Sequence, residues 1–432
     1  MLGLIKKGMY SNSALALYAQ ACMLLANFVL FVVLIKGSYT ASYGHWALFI
    51  TIISIADSFR QGFLQNGFIR LFVKGESSSK SLVSSAALMN FGFIVLIGLI
   101  MWLAGFFQQN VTVSELLHNG FKSLLALGSL QFINMLCIAR QDFKRHFQQN
   151  GIYLISFSLG LLLLSFNGQM GFIQVINLQL IASLTAVIYH LIQYPPAFAR
   201  PSLSQLKSLW DFGRYAAGTN LLSMLFHKAD ILMLAFFTSP VTVAVFHFAS
   251  KIVAYTDLPL NACSQVIYPE LVASHRRETQ SHLKATYLKS ILRLLALSIP
   301  LLIMVILFNE QIITLLSTDD YSSSSVVIII LCLGCIVKPI GRVFGQLLDA
   351  MGKPQINFQM LSFSLVINVL MNLIFIPSLG LTGAALATSI SIMFTVALGQ
   401  WRLQKWLPIS LRELQQFLHS HRPKLLSLKL KL

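Results

Sequence analysis

The sequence predicts an all-α membrane protein in which about twelve helices cross the bilayer. Three observations predict this class. The chain has 432 residues, of which 56% are hydrophobic and 10% are charged, against roughly 25% charged residues in a soluble domain. Apolar stretches of about 20 residues, the length that crosses a bilayer as a helix, recur from end to end. The loop cations also fall in alternate loops, as expected when Lys and Arg stay on the cytoplasmic side.

The apolar stretches are distributed evenly along the chain. Their approximate centres are Leu25, Ile52, Ile94, Leu130, Leu159 and Ile181, and then Leu225, Val253, Ile299, Leu331, Val366 and Ile392. The first stretch follows Lys6 and Lys7, as in a signal peptide. It runs from Ala14 to Ile35, too long for a cleaved apolar core, and we interpret it as the first span.

The loop charges predict the orientation of the chain. Lys36 and Lys122 are the cations of the predicted outer segments, whereas the predicted inner segments hold the other loop cations. Acidic residues such as Glu115 and Glu310 fall in the outer segments. A miscounted span would disturb this alternation. With an even number of spans, both termini are expected in the cytoplasm.

A polar, proline-containing break near the middle of the chain predicts the domain organisation. It runs from about Tyr194 to Asp211, with six spans before it and six after it. We therefore expect a six-helix bundle at 1–194, a cytoplasmic linker at 195–211, a second six-helix bundle at 212–404 and a basic cytoplasmic tail at 405–432. The tail has leucines at helical spacing. It either lies on the anionic inner leaflet or is a solvated cytoplasmic helix.

Charged residues inside the predicted spans are the candidate site residues. A charge at the centre of a membrane helix costs roughly 2.5–3.5 kcal/mol on insertion scales, so such residues normally face a bundle interior or a water-filled cavity. They are Asp57, Arg60, Arg214, Lys228, Asp230, Lys251, Asp257, Arg293, Lys338, Arg342 and Asp349.

Simpler structural explanations compete for several of these charges. Asp57 and Arg60 are three residues apart and could form a local ion pair. Lys338 and Arg342 share one helix face and repel each other there, unless an anion binds or Asp349 compensates. They could instead extend toward the headgroups. Lys251 lies near the middle of its span and is the hardest cation to explain in that way.

The sequence contains no signature of catalysis or of nucleic-acid binding. We find no phosphate-binding glycine loop, zinc-ligand spacing or nucleophile motif. The net charge of +17 is explained by membrane orientation rather than by nucleic acid. Cys332 and Cys335 form a CxxC inside an apolar run, which favours buried apolar residues over a redox pair. We therefore expect a protein that is not an enzyme and holds no cofactor.

Two strings resemble a known family of transporters. The first runs from Lys228-Ala-Asp230 through Ser239-Pro240 and Val245-Phe-His-Phe-Ala-Ser-Lys251 to Tyr268-Pro269. The second comprises Asp349-Ala-Met-Gly352-Lys353-Pro354, Asn368-Val-Leu-Met-Asn372 and Ile376-Pro377-Ser-Leu-Gly380-Leu-Thr-Gly383. Together they resemble the polysaccharide transporters, including O-antigen flippases, of the multidrug/oligosaccharidyl-lipid/polysaccharide exporter superfamily. Ala244 and Phe246 stand where that family usually has Gly and Tyr.

The resemblance implies a fold and a function. It implies two six-helix bundles around a central cavity, working by alternating access in the bacterial inner membrane. The cargo would be a polyprenyl-pyrophosphate-linked glycan for surface polysaccharide, with membrane lipids and glycan polymerase machinery as further partners and no nucleic acid. Arg60, Lys228, Lys251, Lys338 and Arg342 would then bind the anionic cargo. Asp57, Asp230 or Asp257 would pair with these cations at rest or carry a coupling H⁺ or Na⁺.

Three other functions stay open at this stage. A multidrug antiporter of the same superfamily exports cations and should favour carboxylates over Lys and Arg in its cavity. A lipid II flippase differs only in its head group, which the sequence does not specify. A membrane glycosyltransferase or polysaccharide polymerase usually needs a sizeable outer loop or an acidic catalytic cluster, and the predicted outer loops are short.

Overall fold

The computed structural model describes residues 12–74, 79–168, 170–195, 199–276 and 280–408. Within these ranges every regular element is helical. The helices are α1 (Asn12–Gly37), α2 (Thr40–Lys74), α3 (Ser79–Phe106), α4 (Val111–His118), α5 (Gly120–Ala139), α6 (Phe143–Phe166), α7 (Phe172–Gln193), α8 (Leu203–Phe237), α9 (Pro240–Tyr255), α10 (Asp257–Arg276), α11 (Gln280–Leu307), α12 (Asn309–Leu316), α13 (Ser324–Cys335), α14 (Lys338–Ala350) and α15 (Pro354–Leu403), with a 3₁₀ turn at Asp319–Tyr321. The predicted all-α membrane class is confirmed.

The helices have the length and the surface of membrane spans. In the described ranges, nine are long and apolar enough to cross a bilayer, or up to eleven if each of two bent pairs is one span. All twelve predicted centres lie in helices. Many large apolar side chains face outward, such as Leu96, Leu163 and Ile374, which is costly in water but not in lipid. The exact number of twelve spans stays a prediction.

The last helix contains a sharp bend. α15 is 50 residues long, and at Gly380 its backbone leaves the helical region with φ 56° and ψ −124°. Only glycine adopts a positive φ without strain. A Cβ on Gly383 would collide with the carbonyl oxygen of Phe375. Gly380 therefore divides α15 into two helical segments, which contain the predicted span centres Val366 and Ile392 respectively.

The chain divides into two compact units, Met1–Lys228 and Ala229–Leu432. The division falls inside α8, whose residues 203–211 belong to the predicted linker. The predicted boundaries at 194, 211 and 404 stay predictions. Most of the predicted tail lies outside the described residues, because the described part of the chain ends at 408.

Each unit has its own apolar core. In unit 1, α1 packs on α6, and α5 packs on α3 and α7. One core cluster joins Leu64 and Phe68 of α2 to Leu82 of α3 and Leu136 of α5. In unit 2, α13 and α14 pack on α15, and α10 packs on α11 and α14. A core cluster there joins Leu271, Tyr287, Leu294, Leu347 and Met360.

None of the five cysteines forms a disulfide. Cys22, Cys137, Cys332 and Cys335 are buried, and Cys263 is partly buried. The two cysteines of the CxxC lie on α13, where the surrounding residues are mainly Val, Ile and Leu. Their environment is that of small apolar core residues.

Glycines bring α2 and α8 into close contact within unit 1. A Cβ on Gly62 would lie 2.5 Å from the Cα atom of Ala217. We expect Gly62→Val to lower the free energy of unfolding by about 1–3 kcal/mol, because the added carbons meet backbone that must shift. Thermal unfolding in detergent measures the effect. Gly92→Val on α3 is the matched control, since a Cβ there meets nothing within 4 Å. Equal effects at both glycines would contradict the prediction.

Candidate functional site

Two bent helix pairs in unit 2 place charged residues at their bends. α9 and α10 meet at 40°, and α13 and α14 meet at 42°. Asp257 is the first residue of α10, and Lys338 is the first residue of α14. Pro339 follows Lys338 directly and lacks the backbone N–H that would continue the α13 ladder. The bends therefore open two helices at the positions where the charges lie.

A polar ladder joins the two helices that follow the bends. Lys338 Nζ lies 3.2 Å from Asp257 Oδ2. One helical turn further, Arg342 donates a hydrogen bond to Asn261 Oδ1. Another turn on, Gln346 Nε2 donates to the carbonyl oxygen of Ser264 at 3.0 Å. Residues three or four apart share a helix face, so α10 and α14 run parallel and join along one polar seam.

The first rung of this ladder carries a surplus positive charge. Arg342 Nη2 also approaches Asp257 Oδ1 at 3.6 Å, so two cations share one carboxylate. The side chains of Lys338, Arg342 and Asp257 are about one quarter exposed, at 27%, 25% and 23%. Asp257 is favoured in the first turn of α10, where the helix N-terminus is partially positive. The rung therefore keeps a net charge of +1 on a surface that a second anion can reach.

Lys251 lies on α9, before the bend at Thr256. Its side chain is half-buried. Among the described residues it forms no ion pair or hydrogen bond. Lys228, at the end of unit 1, is also half-buried. In the described part of unit 2, the charge of Lys251 is therefore less compensated than that of the other intramembrane cations.

Asp230 is enclosed by neutral hydrogen-bond donors. Its Oδ1 accepts from Asn372 Nδ2 at 2.6 Å and from Asn368 Nδ2 at 3.1 Å, and its Oδ2 accepts from Thr388 Oγ1 at 2.7 Å. The Asp230 side chain is buried, and no Lys, Arg or His of the described residues is paired with it. The Oδ1 atom of Asn372 is buried without a donor in the described part of the chain. We call these four residues the Asp230 cage.

The atoms of the Asp230 cage that can ligate a cation are oxygens, from the carboxylate, the amides and the hydroxyl group. A buried carboxylate without a positive partner is costly as an anion. Binding a proton or a hard monovalent cation removes this cost, and hard cations prefer carboxylate, amide and hydroxyl oxygens. No cluster of three His, Cys, Asp or Glu residues suited to a metal ion occurs in the described ranges.

Unit 1 holds a buried ionic cluster on α2, α3 and α5. Arg60 donates to Asp57 Oδ1 from Nε at 3.0 Å and from Nη2 at 2.7 Å. Its Nη1 donates to Asn90 Oδ1, and its Nη2 also donates to Gln131 Oε1. Gln61 and Gln131 donate to the second oxygen of Asp57 at 2.7 and 3.0 Å. Arg60 is 2% exposed, so the cluster satisfies its own charges.

Within each unit the structure brings some of the predicted site residues together. Lys338, Arg342 and Asp257 meet, whereas Arg60 is enclosed with Asp57 in unit 1. Asp257, one of the three predicted partners, compensates Lys338 and Arg342 from another helix, whereas Asp349 on their own helix does not. Asp349 instead lies 3.4 Å from the Nδ2 atom of Asn357. Cargo binding by the predicted site residues stays a prediction.

The polar neighbours of these charges were not predicted. Asn368 and Asn372 belong to a string that resembles the transporter family, whereas Asn90, Gln131 and Asn261 lie outside the motifs that carry this resemblance. All five residues share one feature that is visible in the sequence, an amide side chain inside an apolar span. Asn368 and Asn372, four residues apart, point to one helix face. Amide side chains at membrane depth need hydrogen-bond partners as charges do, so they could have been counted as candidates.

Comparisons with solved structures agree on the fold. A lipid II flippase, MurJ, in an inward closed conformation superposes with a TM-score of 0.74 and 17% identity over 95% of this chain and 92% of that chain. An inward-facing multidrug resistance transporter of the MATE family and MOP superfamily superposes with a TM-score of 0.72 and 15% identity over 89% of this chain and 95% of that chain. At this identity the likeness shows the fold alone.

Sequence comparisons point to the same group of proteins. A probable low-salt glycan biosynthesis flippase, Agl15, of Haloferax volcanii is 22% identical over 210 residues, which is 49% of this chain and 44% of the relative. A probable flippase, AglR, of the same organism is 24% identical over 198 residues, 45% of this chain and 42% of the relative. The matches span less than half of each relative. A family model described as "Polysaccharide biosynthesis protein" matches residues 39–326, about two thirds of the chain. The chain therefore belongs to this polysaccharide biosynthesis protein family.

Proposed function

We propose that this protein is a flippase that moves a polyprenyl-pyrophosphate-linked oligosaccharide from the inner to the outer leaflet by alternating access, for the biosynthesis of surface polysaccharide. The observation that carries the proposal is the positively charged rung at the two helix bends, where Lys338 and Arg342 share Asp257. The family membership and the printed names of the relatives support it. We place the protein in a bacterial inner membrane, with both termini in the cytoplasm.

The energetic problem of such a cargo lies in its head. The polyprenyl tail is soluble in lipid, but a pyrophosphate without partners would cost tens of kcal/mol to bury by idealised solvation estimates. Cationic side chains along the path lower that cost, and Arg adds paired hydrogen bonds to phosphate oxygens. Lys251, Lys338 and Arg342 would supply these contacts. Lys228 and Arg60 stay in the proposal as sequence predictions, and Arg60 would first have to leave its cluster.

Asp257 would act as the resting partner of the two cations. In the absence of cargo it offsets most of their mutual repulsion. An arriving pyrophosphate carries more negative charge and would compete for the same N–H donors. The cations would be exchanged from one anion to another and never left unpaired in the bilayer, where an uncompensated charge is most costly. Asp57 would play the same part for Arg60.

A coupling ion would bind at the Asp230 cage. Uptake of H⁺ or Na⁺ there neutralises a buried carboxylate that only neutral groups contact. A gradient of that ion would then bias the equilibrium between the inward-open and outward-open states, because a ligand shifts populations by its difference in affinity for them. This ion is the one small ligand that the proposal requires.

The proposal predicts a selective transport defect. Lys251→Ala, Lys338→Ala and Arg342→Ala should each reduce surface glycan at least about tenfold, since a hydrogen bond to a charged group contributes roughly 1.5–3 kcal/mol. The measurement is surface polysaccharide in a strain lacking its own copy, together with the lipid-linked repeat unit that accumulates on the inner leaflet. Equal protein levels in the membrane are required for each variant.

The exposed Lys207 on α8 provides the matched control, because Lys207→Ala removes the same charge outside the site. Its glycan level should equal that of the unmodified protein. Normal glycan in all three site variants would remove the charged rung and Lys251 from the cargo path. Export of a cationic drug without any effect on glycan would favour the multidrug antiporter instead.

A further inference from the structure

A cavity of about 290 Å³ opens between α10 and α11 of unit 2, and its lining includes no residue of the charged rung or of the Asp230 cage. Its lining is Glu270, Ala273, Ser274, His282, Thr286, Lys289 and Arg293. Four of these side chains carry or can carry a charge. Arg293 is one of the predicted intramembrane charges, and none of the seven residues belongs to the proposed cargo path or ion site.

The depth of the cavity is set by the apolar residues around it. On α10 the exposed Val266 and Tyr268 precede it by about one turn, and exposed Tyr is typical of the interface between acyl chains and headgroups. On α11 the cavity residues precede the apolar run that begins at about Leu294. Both helices therefore leave the apolar layer at the cavity, which places it at headgroup level.

The charge balance of the cavity is positive. Arg293 Nη1 lies 2.6 Å from Glu270 Oε2, and both side chains are about 40% exposed. Lys289 and His282 are exposed. Below them, Ser274 Oγ donates to Thr286 Oγ1 at 2.9 Å. One carboxylate thus faces two permanent cations, leaving donors on Lys289 and on the free edge of the Arg293 guanidinium.

We propose that this cavity binds the phosphate of a membrane-lipid headgroup. Basic pockets between membrane helices hold anionic headgroups, and the acyl chains would lie along Val266 and Tyr268. The volume is at the small end of ligand pockets. It admits a phosphate and the few atoms next to it but not an oligosaccharide. The site shares no residue with the proposed cargo contacts at the charged rung, and it binds lipid even if the protein transports another substrate.

Substitutions at this site can either raise or lower its affinity for lipid, because Glu270 competes with the phosphate for Arg293. In the absence of lipid it occupies Arg293, so lipid binding has to compete with an internal ion pair. Glu270→Gln removes both the competitor and its repulsion of the phosphate, and it should tighten binding. Lys289→Gln should weaken binding about tenfold, the effect expected of one charge-assisted hydrogen bond. Arg293→Gln should weaken it further. Lys207→Gln on α8 removes an equal charge elsewhere and should leave affinity unchanged.

The experiment is a titration of the purified full-length protein in zwitterionic detergent with short-chain phosphatidylglycerol, with phosphatidylcholine as the zwitterionic reference. Short-chain polyprenyl phosphate and inorganic phosphate are tested in parallel arms. The proposal is supported if affinity decreases in the order Glu270→Gln, Lys207→Gln, Lys289→Gln, Arg293→Gln. The arm in which this order appears identifies the source of the phosphate, whether phospholipid or polyprenyl carrier. Because Lys289 is exposed, its variant tests the site even if Arg293→Gln unfolds.

Two results would overturn the proposal. Equal losses for Lys207→Gln and Lys289→Gln would show that anionic lipids respond only to net charge. Unchanged affinity in Lys289→Gln together with unchanged affinity in Glu270→Gln would show that the cavity does not contact phosphate. Both outcomes leave the glycan-transport result for the charged rung unaffected, so failure of one proposal is distinguishable from failure of the other.

Discussion

Arg60→Met is expected to lower the free energy of unfolding by about 3–5 kcal/mol, the usual cost of removing one partner from a buried ion pair. The substitution leaves Asp57 buried with only Gln61 and Gln131 as donors, and it also leaves Asn90 Oδ1 without its Arg60 donor. A single methionine fills most of the space of the arginine stem, so the loss is mainly electrostatic. Denaturation of the purified protein in detergent measures it.

Two further variants separate this effect from a loss of volume. Asp57→Asn combined with Arg60→Met removes both charges and should recover most of the stability, because a neutral pair of similar shape carries little desolvation cost. Arg145→Met breaks a pair of the same spacing, Arg145 with Asp142 at 2.7 Å, whose side chains are 32% and 27% exposed. It should cost only about 1 kcal/mol. A double variant as unstable as Arg60→Met would contradict this account.

Asp230→Asn is expected to abolish the response of the protein to the coupling ion that we propose for the Asp230 cage. If Na⁺ binds the Asp230 cage, a Na⁺ concentration of 100 times the dissociation constant stabilises the folded protein by about 2.7 kcal/mol. The asparagine removes the negative charge that attracts the ion while keeping the shape, so this stabilisation should disappear. Thermal unfolding in sodium chloride against choline chloride measures it. If the ion is H⁺, the same substitution should uncouple glycan transport from the proton gradient.

Asp349→Asn provides the control for this experiment. Asp349 is an exposed carboxylate of the same unit, on α14, outside the Asp230 cage. Its variant should keep both the stabilisation by Na⁺ and the dependence of transport on the gradient. If Asp230→Asn retained full ion dependence in both assays, the coupling ion would have to bind elsewhere, and the cage would be a structural hydrogen-bond network.

The membrane spans were the part of the fold that the sequence predicted best, because a helix surrounded by lipid needs apolar residues on all its faces. Runs such as the one around Ile94 are apolar on every side, because lipid surrounds the helix, and they predict a span without any knowledge of its neighbours. The exposed Leu96 of α3 agrees with this reading. Proline alone does not determine where the helices bend. Pro339 lies at one, but Pro269 and Pro300 lie inside continuous helices, where packing neighbours evidently tolerate a missing hydrogen bond.

The resemblance named Asp257 as one of three carboxylates that could pair with the cations, but which cation it meets could not be predicted. Asp257 and Lys338 are separated by 81 residues, and their contact depends on which helices become neighbours and on how far each is rotated. Periodicity shows which residues share one face of a helix, but it does not show which other helix packs against that face. Asp57 and Arg60, three residues apart on α2, formed the pair that local spacing allowed. The Asp230 cage combines local spacing with a distant contact. Its three donors lie on one helix, α15, whereas the carboxylate comes from α8.

The placement of the five thiols has a practical consequence for topology. Because four are enclosed in helix contacts and Cys263 is partly enclosed, water-soluble maleimides should label the unaltered chain slowly. A cysteine engineered at the exposed loop residue Tyr39 or Gln108 would then be the dominant reactive thiol in intact cells or in inverted vesicles. The orientation inferred from loop cations thereby becomes a labelling measurement on nearly native protein, with no need to strip its own sulfhydryls first.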